Sequence, residues 1–129
     1  MRILIADDSA LVRRGVIATL SAHSDWEVCA EASDGLEALR KSKELQPDLV
    51  LVDIRMPGPS GLETARFLRQ EVPQVKIIIM SLHDTAQLAR SAREAGANAC
   101  VDKARIGLDL VPVIENLCDG DFREKRKSA

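Results

Sequence analysis

Five short apolar runs, each followed by a segment with helical spacing, constrain this chain more than any other feature. The runs are Arg2 to Ala6, Glu27 to Glu31, Leu49 to Val52, Val75 to Met80 and Ala97 to Asp102. The connections between them are too long for hairpins, so successive strands run parallel, with helices crossing over the faces. The first, third and fourth runs are aliphatic, as strands buried on both faces require. The second alternates between acids and the fifth is weaker, so both suit edges.

The intervening segments carry helix signals. Ser9 caps a helix with Val12, Val16 and Leu20 on one face. Asp34 caps another through about Glu44, with Leu36, Ala38 and Leu39 as its apolar members. Leu62 to Gln70 follows Gly61 and stops before Pro73. Asp84 opens a fourth helix ending near Ala95, with Gly96 as its left-handed cap. Asp109 is placed to cap the last, which puts Pro112 in the first turn and Leu110, Ile114 and Leu117 on the buried stripe. Residues 119–129 are polar, include Arg123, Lys125, Arg126 and Lys127, and read as a tail or a linker.

At 129 residues the chain is long enough for one domain with a real core. A net charge of −2 gives no overall pull toward nucleic acid or an anionic membrane. No apolar run is long enough to span a bilayer, and the start is too soon acidic for a signal peptide. Cys29, Cys100 and Cys118 show no paired spacing and read as reduced thiols, so the expected compartment is the cytoplasm. His23 and Trp26 read as loop and packing residues.

The chemistry gathers where strands end. Asp7 and Asp8 follow the first, Asp53 ends the third, Ser81 the fourth, and Lys103 follows the fifth. Singly, each is an ordinary cap or surface residue. Together they require the first and third strands to be neighbours. The fold class is then α/β, a flavodoxin-like doubly wound five-stranded parallel sheet in the order 2-1-3-4-5 with five helices. Crowded carboxylates repel, and a hard divalent cation such as Mg²⁺, or Mn²⁺, relieves the repulsion. A carboxylate there can accept a phosphoryl group, with lysine and a hydroxyl meeting its oxygens. His83, two residues past Ser81, is placed to line the same site.

Ile3-Leu4-Ile5-Ala6-Asp7-Asp8-Ser9, Asp53-Ile54-Arg55-Met56-Pro57 with Gly61, Ser81, and Gly96-Ala97 ahead of Lys103 resemble the receiver domain of two-component response regulators. The resemblance covers residues 1–118, leaving 119–129 as tail or truncated linker. Leu11-Val12-Arg13-Arg14-Gly15 is similar to the NarL/FixJ (LuxR-type) subfamily, whose receivers usually precede a helix-turn-helix DNA-binding domain. The resemblance implies that Asp53 accepts phosphate from a sensor histidine kinase. It further implies Mg²⁺ on Asp8, Asp53 and the Arg55 carbonyl, with Asp7 acting through a water. Ser81 and Lys103 would hold the phosphoryl group. Phosphorylation would shift the face formed by the fourth helix, fifth strand and fifth helix, with Gln87, Arg90, Ser91 and Glu94 exposed on it. A homodimer on activation and transcriptional output through a domain absent here are the expected consequences. Enzymatic turnover of other substrates is not expected.

Two positions depart from the family pattern. Cys100 stands where an aromatic reporter is usual, and Leu82 where Ala or Gly is usual. Leu82 is expected to cover part of the phosphoryl site. Two other readings compete: a single-domain or degenerate receiver acting as an interaction module, and a haloacid-dehalogenase-type phosphatase. The second uses an Asp-x-Asp motif that Asp7-Asp8 lacks.

Overall fold

The computed structural model describes residues 1–82 and 86–128, with side chains described to Cys118. Elements alternate without exception: β1 (Arg2–Ala6), α1 (Ala10–Leu20), β2 (Glu27–Ala32), α2 (Gly35–Leu45), β3 (Leu49–Asp53), α3 (Gly61–Glu71), β4 (Lys76–Ser81), α4 (Ala86–Glu94), β5 (Ala99–Asp102) and α5 (Ile106–Ser128). The strands form one parallel sheet in the order β2-β1-β3-β4-β5. The expected order and edges are those observed. Among the described residues, no helix is long and apolar enough to cross a membrane.

The period of two along each strand divides the core. Leu4, Ala6, Val50, Val52, Ile77 and Ile79 face one side, where α2, α3 and α4 supply Ala38, Ala65, Leu68 and Ala92. Ile3, Ile5, Leu49, Leu51, Ile78 and Met80 face the other, against Val16 and Leu20 of α1 and Leu110 and Ile114 of α5. Each such fully buried large aliphatic chain contributes about 1.5–3 kcal/mol. This aliphatic core fixes the height at which every strand ends. The edge strand β2 is bulged, since Ile3 pairs with Val28 but Leu4 with Ala30, leaving Cys29 as the extra residue. His23 stacks on Trp26 at 3.8 Å just ahead of that strand.

Helix starts and stops follow local hydrogen bonding. Ser9 and Asp34 accept from Val12 and Glu37 N–H, as their positions in the sequence require. Ser60, not Gly61, caps α3, and Glu63 closes a capping box back onto it. Gln46 ends α2 in the left-handed region (φ 50°) and no glycine marks it.

Four expectations change. Leu36 does not join the core; it is 65% exposed because the buried face of α2 runs through Gly35, Ala38 and Ser42. Asp109 is not the cap of α5. Asp102 accepts from Ala104 N–H and opens a 3₁₀ turn (Lys103–Arg105) that leads straight into Ile106. Asp109 therefore lies in the first turn, accepting from Arg105 Nε at 3.0 Å, and Pro112 falls inside the helix. Pro112 and Leu108 both face solvent, where water can serve the carbonyl that proline leaves unpaired. The segment expected as a frayed tail is helical through Ser128. The proposed start of α4 at Asp84 lies outside the described residues.

Candidate functional site

The carboxyl ends of β1, β3, β4 and β5 converge because the central strands are neighbours in register. Asp53 pairs across to Met80, and Ser81 to Asp102, so the third and fourth strands end side by side. Asp53 is 5% exposed and Asp7 fully buried, whereas Asp8 is exposed. Lys103 joins the two buried acids: its Nζ lies 2.6 Å from Asp7 Oδ2 and 3.1 Å from Asp53 Oδ2. The remaining oxygens are also held. Asp7 Oδ1 accepts from Ser9 N–H at 2.9 Å, and Asp53 Oδ1 accepts from Arg55 N–H at 3.4 Å.

The loop after Asp53 is held from beneath. A Cβ on Gly61 would collide with the Asp53 carbonyl and Ile54 Cα, and Gly61 N–H donates to the Ile54 carbonyl at 2.9 Å. Gly35 leaves the matching space on α2, where a Cβ would meet Thr64 Oγ1 at 2.5 Å and the Pro59 carbonyl at 2.8 Å. Met56 to Gly61 thus form a fixed shelf rather than a slack turn. Its sequence showed breakers only; the two close approaches carry no sequence signal beyond glycine itself.

Burial disfavours ionised Asp53, and the charge of Asp7 adds to the effect. The Lys103 hydrogen bond and the Arg55 N–H oppose it, yet its pKa stays above the ordinary aspartate range. For Lys103, burial pulls the pKa down, but hydrogen bonds to Asp7 and Asp53 outweigh it and raise the pKa above the usual lysine range. The lysine is firmly cationic. One ammonium still serves a cluster in which Asp7, Asp8 and Asp53 each present a carboxylate oxygen within 4.8 Å of the others. An all-oxygen, net-negative group of this kind fits a hard divalent cation. Asp7 and Asp53 are both engaged through both oxygens, Asp53 by the longer contacts, and Asp8 is the exposed carboxylate of the three.

A cavity of about 280 Å³ opens on Asp53, Ser81 and Lys103, with Ile54, Arg55, Leu82 and Leu88 completing its wall. Asp53, Ser81 and Lys103 are therefore together, and Leu88 of α4 joins them without having been anticipated. Leu82 stands at the rim, 64% exposed, and does not close it. It also lines an adjoining apolar groove with Val12, Gly15, Val16, Thr19, Lys103 and Ile106. Cys100 is not brought into the site. It is half-buried and lines a separate cavity of about 180 Å³ beneath α4. His83 lies outside the described residues.

Residues 3–114 match the family model of the response regulator receiver domain. The chain belongs to that family. LnrK of Bacillus subtilis strain 168, a transcriptional regulatory protein, is 38% identical over 93% of this chain and 54% of its own length. The response regulator VraR of Staphylococcus aureus is 30% identical over 94% of this chain and 58% of its own. This receiver thus spans about half the length of the curated relatives it matches. Among solved structures, a LuxR-family response regulator from Aurantimonas sp. SI85-9A1 superposes with a TM-score of 0.87 at 37% identity, covering 92% of this chain and 85% of that one. The receiver domain of NarL from Mycobacterium tuberculosis gives 0.85 at 31% identity, over 92% and 96%. The receiver is thus a module of two-component signalling, with LuxR- and NarL-type regulators among its relatives.

Proposed function

We propose that Asp53 is the phosphoacceptor of this receiver, taking a phosphoryl group from a sensor kinase histidine. The observation that carries this is Lys103, held 3.1 Å from Asp53 and 2.6 Å from Asp7 at the floor of the cavity that Ser81 shares. An Asp53 carboxylate oxygen attacks phosphorus, the phosphorus–nitrogen bond to the donor imidazole breaks, and the imidazole keeps the electron pair. Lys103 and the Ser81 hydroxyl are the groups that meet the transferred oxygens. Asp8, Asp53 and the Arg55 carbonyl would hold Mg²⁺, or Mn²⁺ in its place, with Asp7 reaching it through a water. The ion would neutralise charge building on the phosphoryl oxygens.

The groove between α1 and the start of α5 supports a protein donor. It is apolar, shares Leu82 and Lys103 with the phosphoacceptor cavity, and lies on the elements that carry exposed Leu11 and Leu108. Residues 1–118 form the receiver in this reading, and 119–129 lead toward an output segment. Transcriptional output is what the name of LnrK suggests, and by the subfamily resemblance DNA would be reached through a helix-turn-helix domain outside this chain. Phosphorylation shifts the α4–β5–α5 face, on which Gln87, Arg90 and Glu94 are exposed and Ser91 is half-buried. It also favours a homodimer, which size-exclusion with and without beryllofluoride would reject by showing one unchanged species.

Incubation with Mg²⁺ and acetyl phosphate, followed by intact mass, tests the central assignment. One phosphoryl adduct, absent from Asp53→Asn, is expected. No adduct from donor or kinase would leave a degenerate interaction module, and sustained turnover of phosphate esters would indicate a phosphatase.

A further inference from the structure

Helix α4 is buried unevenly. Ala86, Gln87 and Arg90 are exposed, and so are Arg93 and Glu94, but Ala95 and Ala97, where the chain leaves the far end, are buried. That far end is also bound at four consecutive N–H groups. Ala95 donates to Ser91 O at 3.0 Å, Gly96 to Arg93 O at 3.0 Å, Ala97 to Ala92 O at 2.9 Å and Asn98 to Ile77 O at 2.7 Å.

Arg69 of α3 locks this exit. Its Nε and Nη2 donate to the Gly96 carbonyl at 3.0 and 2.9 Å, and Nη2 also reaches Asn98 Oδ1 at 2.9 Å. Its Nη1 donates to the Pro73 and Val75 carbonyls at 2.8 Å each, and Asn98 Oδ1 accepts in turn from Ile77 N–H. Gly96 has φ +98°, and a Cβ there would come within 2.9 Å of Arg69 Cγ, so the arginine stem lies directly against the helix exit. Toward its other end α4 sits over space. Leu88 borders the phosphoacceptor cavity, whereas a second cavity of about 180 Å³ runs under the helix from Ala89 to Ala97 and Asn98, with Cys100 on its wall.

We infer that Arg69 is a positioning residue that pins the C-terminal end of α4, so the helix answers a change at Asp53 by moving its N-terminal half about Gly96. The trigger rests on the phosphoacceptor reading; the anchor does not. The phosphoacceptor cavity beside Leu88 gives the moving half room, while the clamp uses neutral acceptors that phosphorylation does not alter. The device makes the region around Leu88 the responsive part of the output face and the region around Asn98 its fixed part.

Residue-resolved amide exchange on this chain tests it. In the wild type, the amides of Arg90 to Ala92 should exchange at least about tenfold faster than those of Ala95 to Asn98. Mg²⁺ with beryllofluoride should perturb the first group and leave the second. In Arg69→Met, exchange at Ala95 to Asn98 should rise about tenfold or more, as lost charge-assisted hydrogen bonds imply. The beryllofluoride response should then spread to Asn98, while the rate of Asp53 phosphorylation by acetyl phosphate stays unchanged. Equal exchange along α4 in the wild type, or a wild-type response that reaches Asn98, overturns the inference even if the variant does not fold. Failure of beryllofluoride to bind would count against the phosphoacceptor reading, and the exchange gradient would still judge the anchor.

Discussion

Lys103 and Arg69 are part-buried cations at opposite ends of one sheet, and their surroundings differ in kind. Lys103 faces two buried carboxylates with a third nearby, so its end of the sheet carries excess negative charge. Arg69 faces three backbone carbonyls and one side-chain amide oxygen, all neutral, and its five hydrogen bonds leave that end closed. An over-charged site gains when a cation arrives or a carboxylate is neutralised. A closed neutral cage can only lose. Reactivity is thus placed at one end of the strands and rigidity at the other, with α4 spanning the two.

The sharpest way to break this contrast is at the closed end. Arg69→Met should cost about 2–3 kcal/mol in urea unfolding, because it leaves several carbonyls short of donors. A loss below about 0.5 kcal/mol, the scatter of ordinary surface changes, would show that the cage pins nothing. At the open end, Mg²⁺ at ten times its Kd should stabilise the wild type by about 1.4 kcal/mol, and Asp53→Asn by much less at the same concentration. Equal stabilisation of both would move the metal away from Asp53.

Removing charge at the open end should have the opposite sign from removing it at the closed end. Asp53→Asn should stabilise the metal-free protein at neutral pH, where burial and the charge of Asp7 disfavour the carboxylate. The sign follows from linkage. Burial raises the folded-state pKa of Asp53, so the native state holds that proton more tightly than the unfolded chain does. Its contribution is fully present below the unfolded value of about 4, and is lost as pH rises through the raised folded value. The advantage of the variant should therefore shrink as pH falls toward 4, which paired thermal melts across pH would read. The smallest effect concerns access. Leu82 stands at the rim, so Leu82→Ala should speed self-phosphorylation from acetyl phosphate a few-fold, and an unchanged rate would show that its side chain screens nothing.

How much was legible beforehand follows the same division. The sheet order and the joining of Asp7, Asp53, Ser81 and Lys103 could be read because aliphatic period and strand-end chemistry are local patterns. The Arg69 cage could not. Its acceptors are carbonyls of Pro73, Val75 and Gly96, and any residue supplies a carbonyl, so nothing in the sequence marks them. Leu36 misled because helical spacing shows a stripe but not its limits, and the smaller Gly35, Ala38 and Ser42 took the buried face. Asp109 misled because Asp102 offered an earlier cap, and a 3₁₀ turn can be entered without an apolar signature. Cys100 was grouped with the site by analogy with an aromatic residue; its short side chain lies beneath α4 instead.

The most direct test of the account is to trap the acyl phosphate. Borohydride reduction after incubation with Mg²⁺ and a phosphodonor, followed by peptide mapping, locates the modified carboxyl group. Conversion of Asp53 to homoserine, dependent on donor and Mg²⁺, is the expected result. Conversion at Asp7 or Asp8, or none at Asp53 in protein that carries the phosphoryl mass, would contradict it.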